Sequence, residues 1–136
     1  MSSSDEKAVL DANKGFYTAL NILFTGDISA MEAVWSHRDD VTYMGPFGDY
    51  RVGWSQVRES WVEQGKMKLG GDVEPADVEF NVGSELAIVH NREVGHVFPE
   101  GHDETVFLRA TNMFRKEDGE WKMIGHHADR LPAKPS

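Results

Sequence analysis

The feature that most constrains this chain is a change of hydrophobic period at Gly70-Gly71. Before it, apolar residues recur at helical spacing; after it, they alternate. Val9, Ala12, Phe16, Leu20 and Leu23 predict a long helix over about residues 5–24, with Ser3 and Glu6 at capping-box spacing and Gly26 suited to its end. Asp27 is placed to cap a second, short helix whose apolar positions are Ile28, Met31, Val34 and Trp35. A short strand over residues 41–45 leads into the loop Gly45-Pro46-Phe47-Gly48-Asp49-Tyr50. A third helix starts near Gly53 or Trp54, with Trp54, Val57, Trp61 and Val62 as its buried stripe. Past the switch, Val78, Phe80 and Val82, then residues 86–98, 105–116 and 121–130, read as four strands. The turns between them are too short for crossover helices, so the strands are antiparallel hairpins.

Helices first and an antiparallel meander second is an α+β arrangement, with three helices packed in the concave face of a curved, mostly antiparallel sheet. The 136 residues suffice for one domain over 1–136, with 131–136 a loose tail. A cone built this way leaves a cavity at its open end, mostly apolar with a few convergent polar groups, suited to a small-molecule ligand. With 14 basic against 23 acidic residues, the net charge of -9 repels phosphates and anionic lipid, so neither a nucleic-acid nor a membrane partner is expected. The start is polar and acidic, unlike a secretory signal, and no apolar run approaches bilayer length. The absence of cysteine excludes a disulfide framework, a thiol nucleophile and a thiolate metal site, and fits a cytoplasmic location.

The last hairpin carries the groups best suited to chemistry. If Asp118-Gly119-Glu120 closes it, Glu117 pairs with Trp121, Arg109 lies opposite Asp129, and Thr111 lies opposite His127. Arg109 beside Asp129 and His127 could hold an anionic or polar ligand; alternatively Arg109 and Asp129 neutralise each other. His127 is a candidate general base, since imidazole titrates near neutrality and Asp129 could stabilise its cation. His126 should point to the opposite face. A metal on His127 and Asp129 would need a third ligand from His37, His90 or His96, none at diagnostic spacing, so neither metal nor cofactor is expected. Trp35, Tyr43 and Trp54 are candidate pocket walls, though tryptophans at helical spacing also serve as plain core. On the strand over 86–98, His90, Arg92 and His96 share one face and Asn91 and Glu93 the other, with the inward side left open.

The segment Asp39-Asp40-Val41-Thr42-Tyr43-Met44-Gly45-Pro46-Phe47-Gly48, followed by Gly53-Trp54, resembles the strand-loop-helix of SnoaL-like proteins in the nuclear-transport-factor-2-like (NTF2-like) superfamily. The run from Leu108 to Trp121, ending in His126-His127-Ala128-Asp129, resembles their last hairpin. The resemblance covers nearly the whole chain and implies a homodimer through the convex sheet face. It also puts the cavity face on the odd-numbered set Phe107, Arg109, Thr111 and Met113, and Tyr17 near the family's phenol position. The superfamily hosts isomerases, hydrolases, dehydratases and assembly domains, so fold alone does not select an activity. Ketosteroid isomerase needs an aspartate base and a protonated aspartic acid, and those positions fall on Gly45 and Thr111 here. The limonene-type epoxide hydrolase pattern keeps its arginine at Arg109 but loses the aspartate two residues on. The resulting expectation is a small-molecule pocket protein, an isomerase, lyase or hydrolase on a polar or carboxylated substrate using Arg109, His127 and Asp129. The alternatives are a non-catalytic binding domain and a dimeric assembly domain.

Overall fold

The computed structural model describes residues 3–130; the expected tail over 131–136 lies outside them. Helix α1 runs over Ser3–Leu23, α2 over Ser29–Val34 and α3 over Trp54–Lys66. Six strands complete the fold: β1 Thr42–Met44, β2 Tyr50–Val52, β3 Asp72–Val82, β4 Leu86–Val97, β5 Glu104–Glu117 and β6 Glu120–Arg130. They form one sheet in the order β2-β1-β6-β5-β4-β3. All pairs are antiparallel except β1 against β6, which is parallel.

The apolar stripe of α1 explains its placement. Val9, Phe16, Leu20 and Leu23 are all buried, and the helix lies across β3 and β6. Gly26, at φ 106°, donates its N–H to Leu23 O at 2.8 Å and ends the helix in a conformation that favours glycine. Asp27 accepts the Ser29 N–H at 2.9 Å and the Ser29 hydroxyl at 2.7 Å, but the residue at the N-cap of α2 is Ile28, one later than expected. Helix α3 buries Val57, Ser60, Trp61 and Gly65, while Trp54 and Val62 are only half-buried. Trp35 and Trp61 fill the space between helices and sheet, with ring centroids 6.1 Å apart.

Strand β2, which pairs only three residues with β1, is legible in neither period nor length, and the whole of residues 45–50 reads as loop from sequence. Strand β3 begins at Asp72, six residues earlier than the alternation suggests. Its first half carries a bulge between Ala76 and Glu79, with Asp77 at φ 54°, which breaks the period. The β5–β6 hairpin holds a compensating pair of departures. Its turn is the two-residue Asp118-Gly119, with φ 51° and 82°, so Glu117 pairs with Glu120 and Lys116 with Trp121. A bulge then takes up Ile124, and from Met113 opposite Gly125 the register returns to the expected one, with Arg109 opposite Asp129 and Thr111 opposite His127.

That bulge decides which residues face the helices. Trp121 and Met123 point inward before it, His126 and Ala128 after it, while on β5 Ala110, Asn112 and Phe114 are the buried set. The cavity side of β5 is therefore largely the even-numbered one, which corrects the placement of Arg109, Thr111 and Met113 on it. On β4 the question left open by alternation is resolved: Asn91 and Glu93 are buried, while His90, Arg92 and His96 are exposed. Among the described residues, no helix is long and apolar enough to cross a membrane.

Candidate functional site

Between α1, α3 and the concave face of the sheet lies a cavity of about 310 Å³. Its walls are largely apolar: Leu20, Phe24, Tyr43, Trp61, Val73 and Phe107 contribute, and Pro46 and Phe47 reach it from the β1–β2 loop. Its polar members include Gln64, Glu93, Glu104, His126 and Arg130. Arg130 is the one Lys or Arg among its described lining residues. It sits at the mouth, 3.7 Å from Glu104 and with its guanidinium 5.2 Å from the Phe47 ring centroid.

Beneath the cavity the core holds a polar cluster whose hydrogen bonds have one consistent direction. Asn91 sends its amide N–H to Arg92 O at 3.1 Å, and a backbone carbonyl can only accept, so the Asn91 amide is oriented by it. Its Oδ1 must then accept from Asn13 Nδ2, at 3.0 Å, which turns Asn13 Oδ1 toward Asn112 Nδ2 at 2.8 Å. Asn112 Oδ1 is left to accept from His126 Nδ1 at 2.6 Å. The hydroxyl of Tyr17 accepts from Asn91 Nδ2 at 2.9 Å and from Asn112 Nδ2 at 3.1 Å, so its own proton goes to Glu93 Oε2, 2.7 Å away. Each amide orientation follows from the previous one, and together they fix neutral His126 as the Nδ1–H tautomer. Its Nε2 lone pair then looks toward Glu93 Oε2 at 3.6 Å.

Burial pushes the Glu93 carboxyl up to about 7, against the opposing pull of the Tyr17 hydrogen bond. Burial likewise pushes His126 down to about 3, with His127 nearby adding repulsion. The distance alone would permit an ion pair. We take the pair as uncharged in acid because desolvation penalises both charges and Tyr17 is the side chain that helps the carboxylate. Burial also raises the Tyr17 hydroxyl far above its ordinary range and pushes Tyr43 up to about 12. Tyr43 accepts from Gln64 Nε2 at 2.9 Å, and among the described residues nothing accepts its own proton, which is free to donate into the cavity. Its ring stacks near His126, with centroids 5.8 Å apart.

The sequence-predicted residues divide. Tyr43 and Phe107 line the cavity, and Tyr17 holds Glu93 from below. Trp35 is plain core, and Trp54 stacks on His37 with centroids 4.5 Å apart; neither lines the cavity, because α3 turns Trp61 to it instead. Arg109, Thr111, His127 and Asp129 come together as expected, but on the face turned away from the helices, in an open depression with Asp77, His90 and Arg92. There Asp129 accepts from Arg109 Nε at 3.0 Å and Nη2 at 2.7 Å, an exposed bidentate pair that holds the Asp129 carboxyl below its usual range. Thus Arg109 and Asp129 are paired with each other on the surface rather than aimed into the cavity. Glu93, His126, Asn13, Asn91 and Asn112 were not anticipated. The available signal was polar residues on apolar faces: Asn13 and Tyr17 one helical turn apart on α1, and Asn91 and Glu93 continuing the Ala87, Val89 side of β4.

The SnoaL-like domain pattern matches residues 9–132. Among curated proteins, the F-box protein SKIP8 of Arabidopsis thaliana is 26% identical over 122 residues. That match takes in 90% of this chain and 49% of the relative, so the chain spans about half the length of the curated relative it matches. Among solved structures, a candidate dehydratase of the NTF2-like family from Streptomyces avermitilis superposes with a TM-score of 0.86 at 24% identity, covering 96% of this chain and 99% of that one. A candidate aromatic ring hydroxylase from Novosphingobium aromaticivorans gives 0.83 at 19% identity, covering 98% and 93%. At these identities the likeness to solved structures is one of fold.

Proposed function

This chain belongs to the SnoaL-like domain family, and we propose that it is a small-molecule enzyme of the isomerase or lyase kind that moves a proton on a mostly apolar carbonyl substrate. The observation that carries this is Glu93, a carboxyl titrating near neutrality in the floor of an apolar cavity. A base poised near 7 is both available and strong enough to take a proton from carbon beside a carbonyl. Tyr43 supplies the complementary donor, since its uncommitted hydroxyl proton can polarise the carbonyl oxygen as negative charge develops there. Tyr17 and the asparagines hold Glu93 and His126 in place, and the apolar walls keep water from the reacting carbon. A carboxylated substrate is less well served than the sequence suggests, because the cavity's cation stands at its mouth.

Proton abstraction is readable without knowing the natural substrate. Cyclohexanone or α-tetralone, incubated in D2O with the protein and followed by proton NMR, should exchange its α-hydrogens faster than with buffer alone. Glu93→Gln should lose that catalysis by about 100-fold or more, the scale of a removed general base. Equal exchange by parent and Glu93→Gln would overturn the assignment of Glu93.

For the sheet face away from the helices we propose a homodimer interface, supported by Leu86 and Ile88, 58% and 42% exposed there beside Met113. Light scattering coupled to size exclusion should give twice the chain mass for the parent and a monomer for Ile88→Lys. A monomeric parent at micromolar concentration would reject this interface.

A further inference from the structure

Resting on the reading of the cavity as the ligand site, we infer that the cavity selects ligands bearing a protonated amine on an aromatic or alicyclic body. The proton of Tyr17 is committed to Glu93, and the Nδ1 proton of His126 is committed to Asn112. What converges on the cavity floor is therefore two acceptors 3.6 Å apart: Glu93 Oε2 and His126 Nε2. A carboxylate offers about four lone-pair sites, and Tyr17 occupies one. Two buried acceptors facing each other are unfavourable unless a donor joins them. When Glu93 is protonated, its own O–H can turn to His126 Nε2 and the floor closes on itself. When Glu93 ionises, the floor has lost its donor and carries an uncompensated buried charge. An ammonium group supplies both missing items, N–H donors for the two acceptors and a positive charge for the carboxylate.

The walls agree with this assignment. Phe24, Tyr43, Trp61 and Phe107 line the cavity, and aromatic faces favour a cation over an anion. The titratable groups that touch Glu93 are Tyr17 from α1 and His126 from β6, and those that share its cavity are Tyr43 from β1, Glu104 from β5 and Arg130 from β6. Of these, Arg130 is held at the mouth by Glu104 and Phe47, and His126 is kept neutral by burial, so no protein cation neutralises the ionised Glu93. A bound ammonium also puts the C–H bonds flanking its nitrogen nearest Glu93. An amino carbonyl compound would then satisfy the floor with nitrogen and Tyr43 with oxygen.

The test compares three probes of one shape, benzylamine, benzyl alcohol and benzoate, by isothermal titration calorimetry at pH 6 and pH 8. Benzylamine stays protonated at both. It should bind best of the three at pH 8 and about tenfold more weakly at pH 6, because Glu93 titrating near 7 passes from roughly nine-tenths to roughly one-tenth ionised. Glu93→Gln should abolish the amine preference and its pH dependence. Benzyl alcohol or benzoate binding as tightly as benzylamine at pH 8 overturns the inference on the parent chain alone, whatever the variant does. Exchange of cyclohexanone without amine preference would refute the ligand class and leave the proposed proton transfer standing. Amine preference without exchange would do the reverse.

Discussion

Glu93→Gln should make stability climb with pH between about 4.5 and 6.5, where the parent chain stays nearly flat, and His126→Asn should make it fall over the same interval. The two groups pull in opposite directions because burial displaces them oppositely. Glu93 is raised from 4.5 to about 7, so the folded state holds a proton that the unfolded chain gives up. Its contribution is fully present below 4.5 and is lost as pH rises through 7, at up to ~1.4 kcal/mol per pH unit and ~3 kcal/mol in all. His126 is lowered from 6.5 to about 3, so the folded state refuses a proton that the unfolded chain takes. Its contribution is present above 6.5 and is lost as pH falls through 3, by an amount of the same order. Between 4.5 and 6.5 the slopes cancel, and the pair leaves the parent nearly flat there. Each substitution removes one slope and unmasks the other; Asn at 126 retains a donor for Asn112 Oδ1. Urea denaturation at closely spaced pH values, read as variant minus parent, removes the background of surface carboxylates such as Asp40 and Asp129. Glu93→Gln should also be more stable than the parent above pH 7, since it removes a buried charge. A gain of stability on neutralising a buried acid is the signature expected of a residue kept for function. Parallel curves for parent and Glu93→Gln would mean that Glu93 titrates alike in folded and unfolded chains, and would leave the cavity without its base.

The fold was legible because its large elements announce themselves by period. The stripe Val9, Phe16, Leu20, Leu23 and the alternation of β4 and β5 each persist long enough to outweigh local exceptions. Belonging to the SnoaL-like family agrees with that reading. The site was legible only in part, for a physical reason. Sequence alternation treats polar residues as outward, and here Asn13, Asn91, Glu93, Asn112 and His126 are all at most 5% exposed, satisfied by one another rather than by water. Alternation alone leaves both sides of β5 open, and it is the family resemblance that puts Arg109 and, through Thr111 opposite it, His127 inside, and so Asn112 and His126 outside. What reverses the assignment on β6 is Ile124, a bulged residue without a turn-forming signature. Phe107 and Met113 made the odd side of β5 look equally apolar, so nothing on that strand alone corrected the error. The register between Arg109 and Asp129 came out as expected because a turn one residue shorter and a bulge one residue long offset each other.

Asn112→Asp is the substitution that most directly challenges the directional network, and we expect it to cost ~3 kcal/mol or more at neutral pH. The change is nearly isosteric, so packing is preserved and the chemistry is isolated. Asn112 is fully buried, and its Nδ2 donates to both Asn13 Oδ1 and Tyr17. A carboxylate there can donate to neither, and it faces Asn13 Oδ1 acceptor to acceptor. The same carboxylate would draw a second proton onto His126, so nitrogen-15 NMR should show the His126 imidazole shifting from the Nδ1–H tautomer toward the doubly protonated form. The adjacent Thr111→Asn, on the open face beside His127, should stay within ~0.5 kcal/mol of the parent. The contrast between neighbours matters more than either value, because it separates a buried hydrogen-bond circuit from general sensitivity of β5. If Asn112→Asp were as harmless as Thr111→Asn, the amide orientations would not be fixed from the Arg92 carbonyl onward. His126 Nε2 would then be free to carry the proton, the cavity floor would hold its own donor for Glu93, and the preference for an ammonium ligand would lose its cause.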